Sequence, residues 1–257
     1  MWSIEIEGEH MKTFYLTDVG KVRDHNEDSV IIVKNNNGDY LMAVADGMGG
    51  HSCGEVASSI VIKHLTHRFQ NDFDNLDKED AINFVNDLIY EVNTKIFKYE
   101  ETHPESKGMG TTLVMAVVTK DYIIMSNIGD SSGFVLKKDK LHKITIDHTL
   151  VNYLVLAGEL TAEEALNHPR KNILMKALGA NDPIEGDIFD CDMDIDGIFL
   201  CSDGVTNMLD VDQIEKVLDS ELDIEDKIVK LIHKCNNRGG LDNISIAYMD
   251  FREGEEK

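Results

Sequence analysis

Residues 111–126, TTLVMAVVTKDYIIMS, hold two apolar runs of strand composition separated only by Thr119 and Lys120. A gap of that length suits a hairpin and is too short for the helical crossover that joins parallel strands. The pair therefore argues for an antiparallel sheet and against a doubly wound parallel one. Working outward, Val- and Ile-rich runs read as strands at 12–18, 29–34, 40–45, 111–118, 121–127, 133–136, 197–201 and 243–249. Helical spacing of three and four appears at Ala57, Ile60, Val61 and Leu65, and again from Ala81 through Val85, Leu88, Ile89 and Val92 to Ile96. Further helices are expected over 210–219 and 223–236. Thr161 and Glu164 form a capping box for a short helix at 161–167, ahead of Pro169 and inside a surface insertion over about 149–170. Strands and helices come in separate groups, which predicts an α+β fold with helices covering the outer faces of antiparallel sheets.

The chain of 257 residues has three prolines and no low-complexity stretch, so residues 1–257 are expected to form a single domain. No apolar run reaches the roughly 18 residues of a membrane span. The first ten residues, MWSIEIEGEH, are acidic where a signal peptide is basic. No membrane insertion and a cytoplasmic location are expected. The four cysteines are scattered without C-x-x-C spacing, which fits reduced thiols. With 48 acids against 25 bases the net charge is −23, which disfavours nucleic acid and anionic membrane as partners and serves solubility.

Asp46, Asp130, Asp203 and Asp242 each sit against an apolar run, in LMAVADGMGG (41–50), IIMSNIGDSSG (123–133), IFLCSDGV (198–205) and LDNISIAYM (241–249). Carboxylates converging at strand ends repel unless protonated or bridged by cations, and an all-oxygen ligand set points to Mg²⁺ or Mn²⁺ rather than zinc. TDVGKVRDHNEDS (17–29) places Arg23 close in sequence to Glu27 and Asp28. Alone it reads equally well as an ordinary polar loop. In ADGMGGH (45–51), successive glycines allow close approach to an ion, and the Gly47 carbonyl is itself a potential oxygen ligand.

Taken in order, these segments resemble the metal-dependent protein phosphatase family, also called protein phosphatase 2C, in its bacterial serine/threonine-specific branch. The resemblance rests on D-V-G-x-V-R-x-x-N-E-D-S at 18–29, D-G-M-G-G-H at 46–51, G-M-G-T-T at 108–112 and N-I-G-D-S at 127–131. It continues through L-T-x-E-E-A at 160–165, N-H-P-R-x-N at 167–172, A-L-G at 177–179, C-S-D-G-V at 201–205 and D-N-I-S at 242–245. It implies a four-layer α-β-β-α sandwich, two packed antiparallel sheets flanked by helices, with 149–170 as a small flap and residues 1–10 as an extension.

Position by position, the resemblance implies that Asp46 bridges two metal ions, with the Gly47 carbonyl on one and Asp203 and Asp242 on the other. Glu27 is similar to the acid that holds metal-bound water or the second ion, and Asp130 with Asp203 would hold a third. Arg23 matches the arginine that grips the substrate phosphate. Met48 stands where some relatives have histidine, which leaves His51 as the candidate general acid or as the start of a helix at 52–69. Ser132 stands where arginine is common. Leu150, Tyr153, Leu154 and Leu156 are expected to pack within the flap, and His64 to be a core or boundary residue.

The implied activity is Mn²⁺- or Mg²⁺-dependent hydrolysis of phosphoserine and phosphothreonine in proteins. A water bridging two ions about 3.5–4 Å apart attacks, and no covalent phosphoenzyme forms. C-x5-R, a cysteine phosphatase signature, is missing. The implied partners are phosphorylated proteins and a serine/threonine kinase that the enzyme opposes, and the chain is expected to be a monomer. A non-catalytic relative would lack one or more of the aspartates, and a phosphatase dedicated to one regulator would carry additional regulatory regions.

Overall fold

The computed structural model describes residues 11–49 and 53–252. Its first half runs β1 (Lys12–Asp18), β2 (Asp28–Lys34), β3 (Tyr40–Met48), α1 (Cys53–Asp72), α2 (Lys78–Thr102), a 3-10 turn at Pro104–Ser106, β4 (Gly110–Thr111), β5 (Leu113–Val118) and β6 (Ile123–Ile128). Then come β7 (Ser132–Lys137), β8 (Lys140–Lys143), α3 (Leu150–Leu156), α4 (Ala162–Leu166), β9 (Asp187–Cys191), β10 (Gly197–Cys201), α5 (Asp203–Thr206), α6 (Val211–Leu218), α7 (Ile224–Asn237) and β11 (Ile244–Asp250).

The hairpin that opened the reading is present, with Leu113 opposite Ile128 and Val118 opposite Ile123. One sheet has the order β2-β3-β5-β6-β9 with β4 paired to β3, the other β1-β11-β10-β7-β8. All strand pairs are antiparallel.

Alternation along the strands divides the interior into three apolar layers. Leu41, Ala43 and Ala45 of β3, with Met115 and Val117 of β5, pack against Leu65, Leu88 and Val92 of α1 and α2. Their neighbours Met42, Val44 and Ala116 turn the other way and meet Ile198, Leu200, Ala247 and Met249 of the second sheet. Beyond it, Phe199, Ile246 and Tyr248 pack on Ile214, Ile228 and Leu231 of α6 and α7. The layers are therefore α-β-β-α. Because each sheet is covered on both faces, its inner strands read as continuous apolar runs despite being antiparallel.

Several details correct the reading. β3 extends to Met48, so Asp46 and Gly47 belong to the strand, and α1 continues past residue 69 to Asp72. KLHK and DIFDC are β8 and β9, each at one edge of its sheet; they are far less covered than the opposite edges β1 and β2 and carry charge, so they lack the apolar signature. The flap holds a second helix, α3, and its stem closes through Leu150 N–H to the Ile173 carbonyl (2.9 Å) and Met175 N–H to the His148 carbonyl (2.8 Å). The insertion is thus slightly longer than 149–170. Tyr153 and Leu156 are not packing residues: they are 45% and 66% exposed, since so small a flap offers too little to pack against. His64 is a boundary residue, 2.6 Å from Glu91. Residues 1–10 and His51 lie outside the described residues.

Candidate metal centre

The ends of β1, β3, β6 and β10 and the starts of β2 and β11 meet at one edge of the two sheets, as the pairings Asp28 with Asp46 and Cys201 with Ile246 require. There a cleft of about 280 Å³ is lined by Arg23, Glu27, Asp46, Gly47, Asp130, Asp203 and Asp242. Residues spread over more than 200 positions of sequence are thus brought together as expected, His51 excepted because it falls among the residues not described.

Neutral side chains hold the backbone that carries them. Asn243, 5% exposed, accepts from Glu27 N–H at 2.9 Å and donates to the carbonyls of Val19 (3.0 Å) and His25 (2.9 Å), which staples the Arg23–Glu27 loop beside Asp242. Ser58 of α1 donates to the Glu27 carbonyl at 2.6 Å. Asp46 is held by Thr112, whose Oγ1 accepts its N–H at 3.0 Å, and by Thr111, whose hydroxyl donates to its carbonyl at 2.9 Å. At Gly47 a Cβ would stand 2.2 Å from the Gly54 carbonyl oxygen, and at Gly54 one would stand 2.8 Å from Glu27 Oε1. Glycine at both places lets α1 press its first turn onto the acidic strand end.

The electrostatics are those of acids crowded out of water. Burial, and then the charges of Asp28, Asp203, Asp130 and Asp242, push the Asp46 carboxyl well above its usual range. Burial and then Asp242 likewise raise Asp203, which stands within hydrogen-bond reach of Asp46. Asp130 is pushed up to about 7 by burial and then by Asp203 and Asp147. Beneath them, burial raises Asp28 to about 7 although Ser202 Oγ donates to it at 2.8 Å. Arg23 does not pair with Glu27 or Asp28; its guanidinium donates to Asp242 at 2.7 Å with half of its side chain exposed.

Among the described residues no three His, Cys, Asp or Glu side chains are drawn close enough together to hold a metal ion as they stand. The acids instead surround an open cleft, which suits hard ions that complete their shells with carbonyl and water oxygens. The donor set fits such ions on a further observation: Asp203 Oδ1 is buried with no hydrogen-bond partner, as is Asp28 Oδ1. Buried carboxylate oxygens without donors are strongly disfavoured unless a proton or cation joins them.

Met48 lines the cleft. Ser132 lies in β7, 1% exposed, with Oγ unpartnered, while the turn is held by Ser131 Oγ at 2.7 Å from Thr112 Oγ1. Thr112, Asn172 and Leu174 also line the cleft and were not singled out from the sequence. The first two lie in the G-M-G-T-T and N-H-P-R-x-N segments, which were the available signal; Leu174 had none.

The family profile described as Protein phosphatase 2C matches residues 21–236. A serine/threonine phosphatase Stp of Listeria welshimeri is 39% identical over 241 residues, covering 93% of this chain and 96% of that protein. The crystal structure of the serine/threonine phosphatase Stp1 from Staphylococcus aureus superposes with a TM-score of 0.89 at 35% identity, covering 97% of this chain and all of that one. The catalytic domain of the serine/threonine phosphatase PstP, solved in complex with 2 manganese ions, gives a TM-score of 0.81 at 31% identity, covering 93% of this chain and 97% of that one.

Proposed function

This chain belongs to the protein phosphatase 2C family and is a serine/threonine phosphatase, and from that premise we propose that residues 1–257 form one domain that removes phosphate from phosphoserine and phosphothreonine in proteins, using Mn²⁺ or Mg²⁺. The observation that carries this reading is the buried, donor-free Asp203 Oδ1 in a carboxylate already within reach of Asp46. Asp46, the Gly47 carbonyl, Asp203, Asp242 and Glu27 would hold two ions, and Asp130 with Asp203 a third. When bound, such ions would supply an activated water and offset negative charge on the phosphoryl group.

The chain's own residues then have defined tasks. Arg23 is half exposed on a loop fixed by Asn243, so its planar fork can leave Asp242 and take two phosphate oxygens, which orients the ester. Asn243 and Ser58 keep Glu27 facing the cleft. Thr111 and Thr112 fix the main chain of Asp46 on both sides. His51 is proposed from its place in D-G-M-G-G-H as the acid that protonates the leaving serine or threonine oxygen. The net charge of −23 favours phosphosites in basic or neutral surroundings. Among the described residues no helix is long and apolar enough to cross a membrane, and we place the enzyme in the cytoplasm, as a monomer that opposes a serine/threonine kinase.

The test is hydrolysis of a phosphothreonine peptide at pH 8 during Mn²⁺ titration, with chelator controls and Asp203→Asn beside wild type. Metal-dependent phosphate release that the substitution abolishes is expected. A folded wild type that binds Mn²⁺ yet releases no phosphate from any phosphoprotein offered would make the chain a non-catalytic relative.

A further inference from the structure

His148 is 3% exposed, and the chemistry above gives it no task. It sits where three parts of the molecule meet: the turn that carries Asp130, the stem of the flap, and β9. Gly129 N–H donates to His148 Nδ1 at 3.0 Å. A main-chain N–H can only donate, so Nδ1 carries no proton and the imidazole proton is on Nε2. Nε2–H then donates to Asp187 Oδ2 at 3.1 Å, and Lys176 Nζ holds the other Asp187 oxygen at 3.3 Å. His148 N–H donates in turn to the Gly129 carbonyl at 2.9 Å, so Gly129 is gripped at both of its polar groups.

Gly129 has little freedom of its own. Its φ is +102°, and a Cβ there would stand 2.6 Å from the Thr112 side chain. On one side Ile128 is fixed in β6, and on the other Ser131 is fixed by Thr112. Asp130 lies between these anchors. Met175 N–H donates to the His148 carbonyl, so the residue that grips the Asp130 turn also closes the flap stem.

We propose that His148 is a positioning residue that presents Asp130 to a divalent ion, through the unprotonated Nδ1 that accepts from Gly129 N–H and with Asp187 fixing the tautomer. The inference rests on the metal-binding reading above. Groups that orient metal ligands at one remove are sensitive positions, and their loss commonly weakens affinity by about 10–100-fold.

Two substitutions separate the roles of the two nitrogens. His148→Asn places a carbonyl oxygen where Nδ1 stands and gives up Asp187, whereas His148→Gln keeps an amide donor toward Asp187 and gives up the acceptor for Gly129. Equilibrium Mn²⁺ binding, read from the electron paramagnetic resonance signal of free Mn²⁺, is compared for both with wild type and with Asp130→Asn, which identifies the binding event that needs Asp130. Thermal unfolding in chelator shows that each variant is folded. His148→Gln is expected to weaken the Asp130-dependent event by about tenfold or more while the remaining Mn²⁺ affinity and the KM for a phosphothreonine peptide stay within about twofold; His148→Asn should stay within about threefold throughout. Equal losses in the two variants, or no loss in His148→Gln, would overturn the proposal. So would a wild type in which no binding event depends on Asp130. A wild type that binds no Mn²⁺ at all would instead remove the metal reading, and the inference with it.

Discussion

Asp130→Asn should make the metal-free protein more stable at pH 8, although it removes a carboxylate assigned to metal binding. The Asp130 carboxyl is pushed up to about 7 from an ordinary 3.8, chiefly by burial and then by Asp203 and Asp147. Below the ordinary value the group is protonated in both folded and unfolded chains. As pH rises from about 4 to 7 the unfolded chain releases this proton and the fold retains it, so stability falls; above about 7 the loss is complete. At about 1.4 kcal/mol for each pH unit of that interval, ionising Asp130 inside the fold costs about 4 kcal/mol by pH 8. The neutral amide still has to be buried, so a gain of about 2–4 kcal/mol is expected.

Urea unfolding in chelator, at several pH values from 5 to 8, measures both the gain and its pH dependence. Wild type should lose stability over this range more steeply than Asp130→Asn. Saturating Mn²⁺ should narrow or reverse the difference, because wild type alone offers the carboxylate to the ion. The self-repulsion of an acidic chain acts on both proteins alike, so the difference between them isolates Asp130. A variant no more stable than wild type at pH 8 in chelator, with the same slope against pH, would refute the reasoning.

Arg23→Lys should lower kcat/KM for a phosphothreonine peptide by about 10–100-fold, mostly through KM, because a point charge replaces a two-pronged grip; unchanged steady-state kinetics would remove Arg23 from substrate binding. Asn243→Ala strips partners from Glu27 N–H and from the carbonyls of Val19 and His25, and should cost about 2–4 kcal/mol of stability in urea titrations. Its activity should fall even at temperatures where it remains folded, since the loop that carries Arg23 and Glu27 loses its staple. Leu41→Ala, at a fully buried position between sheet and helices, should cost about 2–5 kcal/mol while leaving Mn²⁺ affinity of the folded protein unaltered by direct titration.

What was legible in the sequence follows from burial. The inner strands announce themselves because both faces of each sheet are covered, and the short gap after Val118, four residues in the structure, settles their direction. Among the edge strands, Lys12–Asp18 and Asp28–Lys34 are apolar enough to be read, whereas Lys140–Lys143 and Asp187–Cys191 are not, since they are largely hydrated and their residues are mixed. Thr149 was an available sign of the first flap helix, for its side chain accepts from Asn152 N–H, yet an apolar run with no opposing layer to bury it resembles packing in sequence alone. The four cleft aspartates Asp46, Asp130, Asp203 and Asp242 were legible because each sits against an apolar run. Asp28 stood out only as an acid near Arg23; its burial did not, because its setting depends on Ser202, which lies 174 positions away in sequence. His148 was passed over for the same reason: its partners at 129 and 187 come from other elements.

The distribution of hydrogen-bond donors argues for the metal reading more strongly than the count of acids does. Around the cleft, Asn243, Ser58, Thr111 and Thr112 direct their polar groups to main-chain atoms of Glu27 and Asp46 and leave their carboxylates alone. Asp203 receives Asn207 on one oxygen at 3.0 Å, and its other oxygen is buried without a partner. A structural acid cluster would be expected to show the reverse, with donors on the carboxylate oxygens, as in the pair of Asp250 with Arg252 at 2.7 Å at the far end of β11. One strand thus has an acid satisfied by Arg252 near one end and, at the other, Asp242, which accepts from Arg23 and from Asn243 N–H and lies in the same cleft as the Asp203 oxygen that has no partner.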